Sequence, residues 1–198
     1  ILKFGGSSVS NVDSIDCVIE IIKNVNSKLT VVISALGGVT DILSEMAVKA
    51  GKGDLNYKDK INIIKNRHIE IIENKIPIER QTDLINFVKE QVNSLEKLLG
   101  SIFSLKELTL KSLSSITSFG EILSCTILLE ILEDHDFDIV FADAIKLIET
   151  QNKNGKDIVN KDKTKNKVLN FFNRNKNKII LISGYISSNA DGEISNLG

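Results

Sequence analysis

Cysteine is scarce in this chain and proline scarcer, with two cysteines and one proline among 198 residues. Cys17 and Cys125 stand far apart, without a CxxC pair or a histidine-rich neighbour, which argues against a zinc site and a disulfide framework and fits a reducing cytoplasm. Only two histidines occur, His68 and His135. They read as a helix residue and a surface residue, because neither has a second His or Cys at ligand spacing. No charge sign prevails: 25 Lys and Arg face 26 Asp and Glu, a net charge of -1, so there is no electrostatic reason to expect nucleic acid or an acidic membrane as partner. No apolar run approaches the roughly 20 residues that span a bilayer, and no leader pattern opens the chain. A soluble, unexported, cytoplasmic protein is expected. There is no GxxxxGK[ST] loop, and no serine-hydrolase motif surrounds Ser7 or Ser34, which read as loop hydrogen-bonding groups, so no covalent catalysis is assigned.

What is present is apolar content of 42%, enough to bury a core about the size of one α/β domain or most of one. Ile1 to Phe4 reads as a strand ending in Gly5-Gly6-Ser7-Ser8. Ile15, Val18, Ile19, Ile22 and Val25 then recur at helical spacing. Leu29 to Ile33 is a run suited to a strand buried on both faces, opening into Ala35-Leu36-Gly37-Gly38 and a helix carrying Leu43, Met46, Ala47 and Ala50. From Tyr57 to about Asp134 the pattern is helical: one helix from Asp59 to Lys75 stopped by Pro77, a second with Leu84, Val88, Val92, Leu95 and Leu99 as its stripe, and two more flanking Thr117. Strands are expected again at Phe137 to Phe141 and Ile179 to Ile182, separated by a polar loop and surface helix between Gln151 and Lys178. Asp191-Gly192 predicts a hairpin with a type I′ turn between Ile186 and Ile194. Strands alternating with helices predict an α/β sandwich with a mainly parallel sheet, whose ligands lie at the carboxyl ends of the strands, where both glycine loops fall. The chain opens at Ile1 inside an apolar run and ends directly after the hairpin, so a partial chain is expected.

The first loop suits phosphate. Gly5 and Gly6 carry no Cβ to block approach, a helix N-terminus follows, and Lys3 adds a point charge. Outside any motif, Lys3 is an edge-of-strand cation, Glu121 a helix-start carboxylate and Thr40 the N-cap of its helix.

Four ordered segments give these residues a sharper reading. Lys3-Phe4-Gly5-Gly6-Ser7-Ser8-Val9 resembles the K-F-G-G-[ST]-S-V opening of aspartate kinases in the amino-acid kinase family. Ser34-Ala35-Leu36-Gly37-Gly38-Val39-Thr40-Asp41 is similar to that family's S-A-x-x-G-[VI]-T-[ND] loop. Ser118-Phe119-Gly120-Glu121-Ile122-Leu123-Ser124 is similar to its S-[FH]-G-E-x-[LM]-S helix start, and Gly184-Tyr185-Ile186, through the Asp191-Gly192 hairpin to Leu197-Gly198, resembles its G-[FY]-I…G…T-L-G segment. The resemblance implies a three-layer α/β/α sandwich with a helical insertion, residues 1–198 being the N-terminal part of a catalytic domain and about 57–134 a substrate-side subdomain. It implies that Lys3 is catalytic and binds ATP phosphates together with Gly5, Gly6 and Ser7. It places Thr40, Glu121 and Ser34 against the substrate, with Glu121 on the α-amino group, and Mg²⁺ on the ATP phosphates and water. The R-G-G-S-D that follows in the family, the base pocket and regulatory domains of the ACT type would lie beyond Gly198, so the 198 residues alone are expected to be inactive. One departure is Asp143-Ala144-Ile145, where the family often has D-x-R, so an apolar residue stands at the arginine's place and no role is assigned near Asp143.

The implied activity is phosphoryl transfer from ATP to the β-carboxylate of L-aspartate, the first step of lysine, threonine and methionine biosynthesis, by a homodimer or higher oligomer. Two other readings remain open: an amino-acid kinase acting on glutamate, acetylglutamate or carbamate, and a non-catalytic amino-acid-sensing domain.

Overall fold

The computed structural model describes residues 1–25, 28–153 and 156–197. Short runs rich in β-branched residues build its sheet. Strand β1 (Leu2–Phe4), β2 (Thr30–Ile33), β3 (Ile139–Ala142) and β6 (Ile179–Ser183) form four parallel strands in the order β1-β2-β6-β3. Alternation along them divides two cores. Phe4, Val31, Ile33, Ile139 and Leu181 face a large core, whereas Val140, Ile180 and Ile182 face a smaller one.

The large core is made by helices α1 (Val12–Lys23), α2 (Val39–Gly51), α3 (Ile61–Lys75), α4 (Ile78–Leu105) and α5 (Leu110–Asp134). The smaller core is closed by a one-turn helix α6 (Ala144–Leu147) and by α7 (Lys161–Arg174), through Leu147, Val168, Phe171 and Phe172. This is the expected three-layer α/β/α sandwich with a parallel sheet. Antiparallel pairs β4 (Thr150–Lys153) with β5 (Lys156–Val159), and β7 (Ile186–Ser188) with β8 (Ile194–Asn196), stand beside it.

Pro77 separates α3 from α4 as expected, since it cannot continue α3 but fits the N-cap of α4. Several expectations are corrected. Thr117 does not divide two helices: α5 runs unbroken through it, because Thr117 and Ser118 donate their hydroxyls to carbonyls one turn back and stay buried in the helix. The Ser118–Ser124 segment therefore lies mid-helix and is no helix start. The polar stretch from Gln151 contains the β4–β5 ribbon before its surface helix. The turn around Asp191-Gly192 is longer than type I′, with positive φ only at Gly192 between Ser188 and Ile194, and the Asn189 side chain accepts from the N–H groups of Asp191 and Glu193. The expectation about apolar runs is corrected too: α5 is long and apolar enough to cross a membrane by length and composition, and 67% of that apolar stretch is buried in the fold. It is the helix around which α2, α3, α4 and the sheet pack.

Candidate active site

Two loops leave the carboxyl ends of β1 and β2 side by side. After β1 the chain takes a 3-10 turn at Gly6–Val9, and α1 begins only at Val12, capped by the Asn11 side chain accepting from Ser14 N–H at 2.9 Å. The expected direct passage from glycine loop to α-helix is thus replaced by a tighter turn. The second loop, 34–38, crosses the first so closely that a Cβ on Gly6 would lie 3.1 Å from the Ala35 carbonyl oxygen, and one on Gly37 3.1 Å from that of Gly6. At both positions a Cβ would be tighter than ordinary contact against backbone, so glycine suits this crossing. The Ser34 N–H donates to the Phe4 carbonyl at 3.2 Å, tying the loops at their roots.

Helix α5 lies under the second loop. A Cβ on Gly120 would stand 2.7 Å from that of Ala35, so helix and loop touch where the side chain is missing. Ser124 donates its hydroxyl to the Ser34 carbonyl at 2.8 Å, and the Ala35 N–H donates to Glu121 Oε1 at 3.4 Å. Glu121 is 1% exposed, and its Oε2 has no partner among the described residues. Burial away from water raises its carboxyl to about 7, against the smaller opposing pull of the Ala35 N–H. One turn earlier on α5, Thr117 accepts from the Asn196 side-chain amide at 2.8 Å, which ties β8 to the helix.

The structure thus brings Gly5, Gly6, Ser34 and Glu121 to one end of the sheet. Lys3 lies on β1 between Leu2 and Phe4, which turn toward the large core, so it stands exposed on the opposite face of the sheet. Ser7 is exposed on the 3-10 turn. Thr40 is corrected as an N-cap: Gly38 holds that position with φ 79°, and Thr40 is half-buried in the first turn of α2. Glu121, expected at a helix start, owes its environment to mid-helix burial. Asp143 caps α6 by accepting from the Ile145 N–H at 3.1 Å, and Ile145 is half-buried after it. Gly198 of the fourth segment lies outside the described residues. Ser124 and Asn196 lie within the quoted segments without an assigned role. Arg67 of α3 had no signal at all: it donates to the Gly37 carbonyl at 2.8 Å and the Ser10 carbonyl at 3.1 Å, yet in sequence it looks like one more cation on a solvated helix face. Among the described residues no three His, Cys, Asp or Glu side chains converge on a metal position.

A parallel α/β sandwich with two crossed glycine loops defines the class, and the chain belongs to the amino acid kinase family, whose model matches residues 1–198. Within that family it is an aspartokinase-type N-terminal catalytic region. It is 26% identical over 204 residues to the bifunctional aspartokinase/homoserine dehydrogenase of Buchnera aphidicola, covering 100% of this chain and 25% of that protein. Identity to Aspartokinase 1, chloroplastic, of Arabidopsis thaliana is 33% over 131 residues, covering 64% of this chain and 22% of that protein. The fold matches Escherichia coli aspartokinase III in complex with aspartate and ADP, with TM-score 0.87 at 22% identity, over 99% of this chain and 42% of that one. The chain thus spans about a quarter of the Buchnera protein's length.

Proposed function

We propose that this chain forms the phosphate-side and acceptor-side loops of an ATP-dependent kinase that phosphorylates the β-carboxylate of L-aspartate. The product is 4-phospho-L-aspartate, the first intermediate toward lysine, threonine and methionine. The observation that carries the reading is Glu121, a buried carboxylate with one oxygen unpaired among the described residues, set against the loop that bears Ser34 and leads into the α2 turn with Thr40. An unpaired buried acid is costly, and an ammonium group placed there removes the cost. Aspartate and glutamate carry that ammonium; N-acetylglutamate and carbamate do not. The aspartokinase relatives and the solved complex with aspartate and ADP support aspartate between the two that remain.

In this reading the N–H groups of Gly5, Gly6 and Ser7 and the Lys3 ammonium take the ATP phosphates, while Thr40 and Ser34 hold the acceptor. A β-carboxylate oxygen attacks the γ-phosphorus in line. The new O–P bond forms as the bond to the β,γ-bridging oxygen breaks, and ADP leaves with that electron pair. The acceptor is already ionised, so no general base is needed; positioning and charge neutralisation supply the rate. Mg²⁺ would be held by the ATP phosphates and water, and would supply charge neutralisation on the phosphates. Helices from Tyr57 to Asp134 act as the substrate-side subdomain, supporting the acceptor loop from below.

The test is ADP release by the full-length protein with ATP and Mg²⁺, comparing L-aspartate, L-glutamate and N-acetylglutamate, and repeating with Lys3→Ala and Glu121→Ala. Turnover dependent on aspartate and lost in both variants is expected. Turnover with another acceptor alone sinks the substrate assignment, and aspartate binding without turnover leaves an amino-acid-sensing domain.

A further inference from the structure

We propose that Arg67 is a positioning residue that clamps the phosphate loop to the acceptor loop; the role rests on the phosphoryl-transfer reading above. Arg67 is half-buried on α3, 57 residues from Ser10 in sequence and 30 from Gly37, and its guanidinium donates to a carbonyl of each loop, Nη1 to Gly37 at 2.8 Å and Nη2 to Ser10 at 3.1 Å. Both carbonyls belong to the residue immediately before a helix N-cap, Asn11 for α1 and Gly38 for α2. Among the described residues no backbone N–H reaches either of them, so without Arg67 each is an unpaired acceptor at the joint between loop and helix. No carboxylate pairs with Arg67 among the described residues. Its charge is directed at the two loop carbonyls.

The chemistry of the clamp follows from its shape. A guanidinium is a rigid planar fork, so two carbonyls held by its two terminal nitrogens are fixed in distance and in relative angle. Those carbonyls sit at the ends of the segments that hold donor and acceptor, and the loops touch directly at Gly6 and Gly37. Arg67 contacts neither proposed substrate-binding segment through a group that meets substrate. Its effect is therefore on the alignment of the two, and misalignment by about 1 Å costs on the order of a hundredfold in rate. A lysine keeps the charge and reaches one carbonyl, without the fork.

Arg67→Lys and Arg67→Gln in the full-length protein provide the test, read in two ways. Hydrogen exchange needs no turnover: amides of residues 5–12 and 35–42 are expected to exchange faster in both variants while those of α4 keep their protection. Unchanged exchange in both loops overturns the clamp. In steady-state ADP release, kcat is expected to fall about ten- to hundredfold with KM for ATP and aspartate within about threefold. Wild-type kcat in Arg67→Lys, or a loss confined to KM, overturns the positioning role. Should Arg67→Gln fail to fold, the lysine variant alone decides. If the wild-type protein releases no ADP with any acceptor, the kinase reading fails and the exchange result still decides whether the clamp exists.

Discussion

Glu121 was legible as a residue type and opaque as an environment. The motif its segment resembles places a carboxylate on an ammonium, whereas the burial that raises its carboxyl to about 7 is a product of the folded core, opposed in part by the Ala35 N–H from 86 residues away in sequence. An ammonium favours the ionised form, so binding must draw Glu121 out of its neutral state. Apparent affinity for aspartate is therefore expected to weaken as pH falls below about 7, and Glu121→Gln is expected to flatten that dependence while raising KM throughout; KM for aspartate measured across pH checks it. Lys3, Gly5 and Gly6 could be proposed from sequence because the motif that carries them is local to seven residues. Arg67 could not, because its partners are backbone carbonyls, which leave no trace in side-chain pattern.

At the scale of elements, the strands and the breaks between them were readable from apolar runs and from Pro77, and the errors share one cause. Thr117, Ser118 and Gly120 look like punctuation, but the hydroxyls satisfy themselves within α5 and the glycine makes room for Ala35. Gly120→Ala tests that account. Helix propensity favours alanine by about 1 kcal/mol, yet a Cβ 2.7 Å from that of Ala35 overpacks the contact, at a cost of about 1–3 kcal/mol. A net loss of stability is expected, seen as a lower urea midpoint at unchanged m, together with lower aspartate turnover because the acceptor loop is displaced. The tie between α5 and β8 gives a second prediction. Thr117→Val keeps the shape but leaves the half-buried Asn196 amide without its acceptor, and is expected to cost about 1 kcal/mol, with faster amide exchange in β8. The β4–β5 ribbon escaped notice for the opposite reason, since β4 is wholly polar and neither strand shows alternation.

For the whole molecule, two buried titratable groups on helices of the same core act in opposite senses. His68 is fully buried, bonded through Nδ1 to the Ile64 carbonyl at 2.7 Å, and burial lowers it to about 4. Its folded value lies below its usual 6.5, so the unfolded chain binds more protons between these values and stability falls as pH drops from 6.5 toward 4. Glu121 is raised from 4.5 to about 7, so there the folded state binds more protons and stability falls as pH rises through that window. Between 4.5 and 6.5 the two slopes, each at most about 1.4 kcal/mol per pH unit, oppose one another. Relative to wild type, Glu121→Gln is expected to lose thermal midpoint on acidification across this range, and His68→Gln to lose it on alkalinisation; melting curves at several pH values distinguish the two. Finally, the crossed loops have a consequence in time. Both are made early in the chain, but the residues that hold the second one, Glu121 and Ser124, follow 86 and 90 residues later. At roughly 5–20 residues per second of synthesis, the nascent loop waits on the order of ten seconds for its support. Contacts of such long separation also make folding slow, so the second loop stays without its support until α5 has been made and packed, and a chaperone can meet it open.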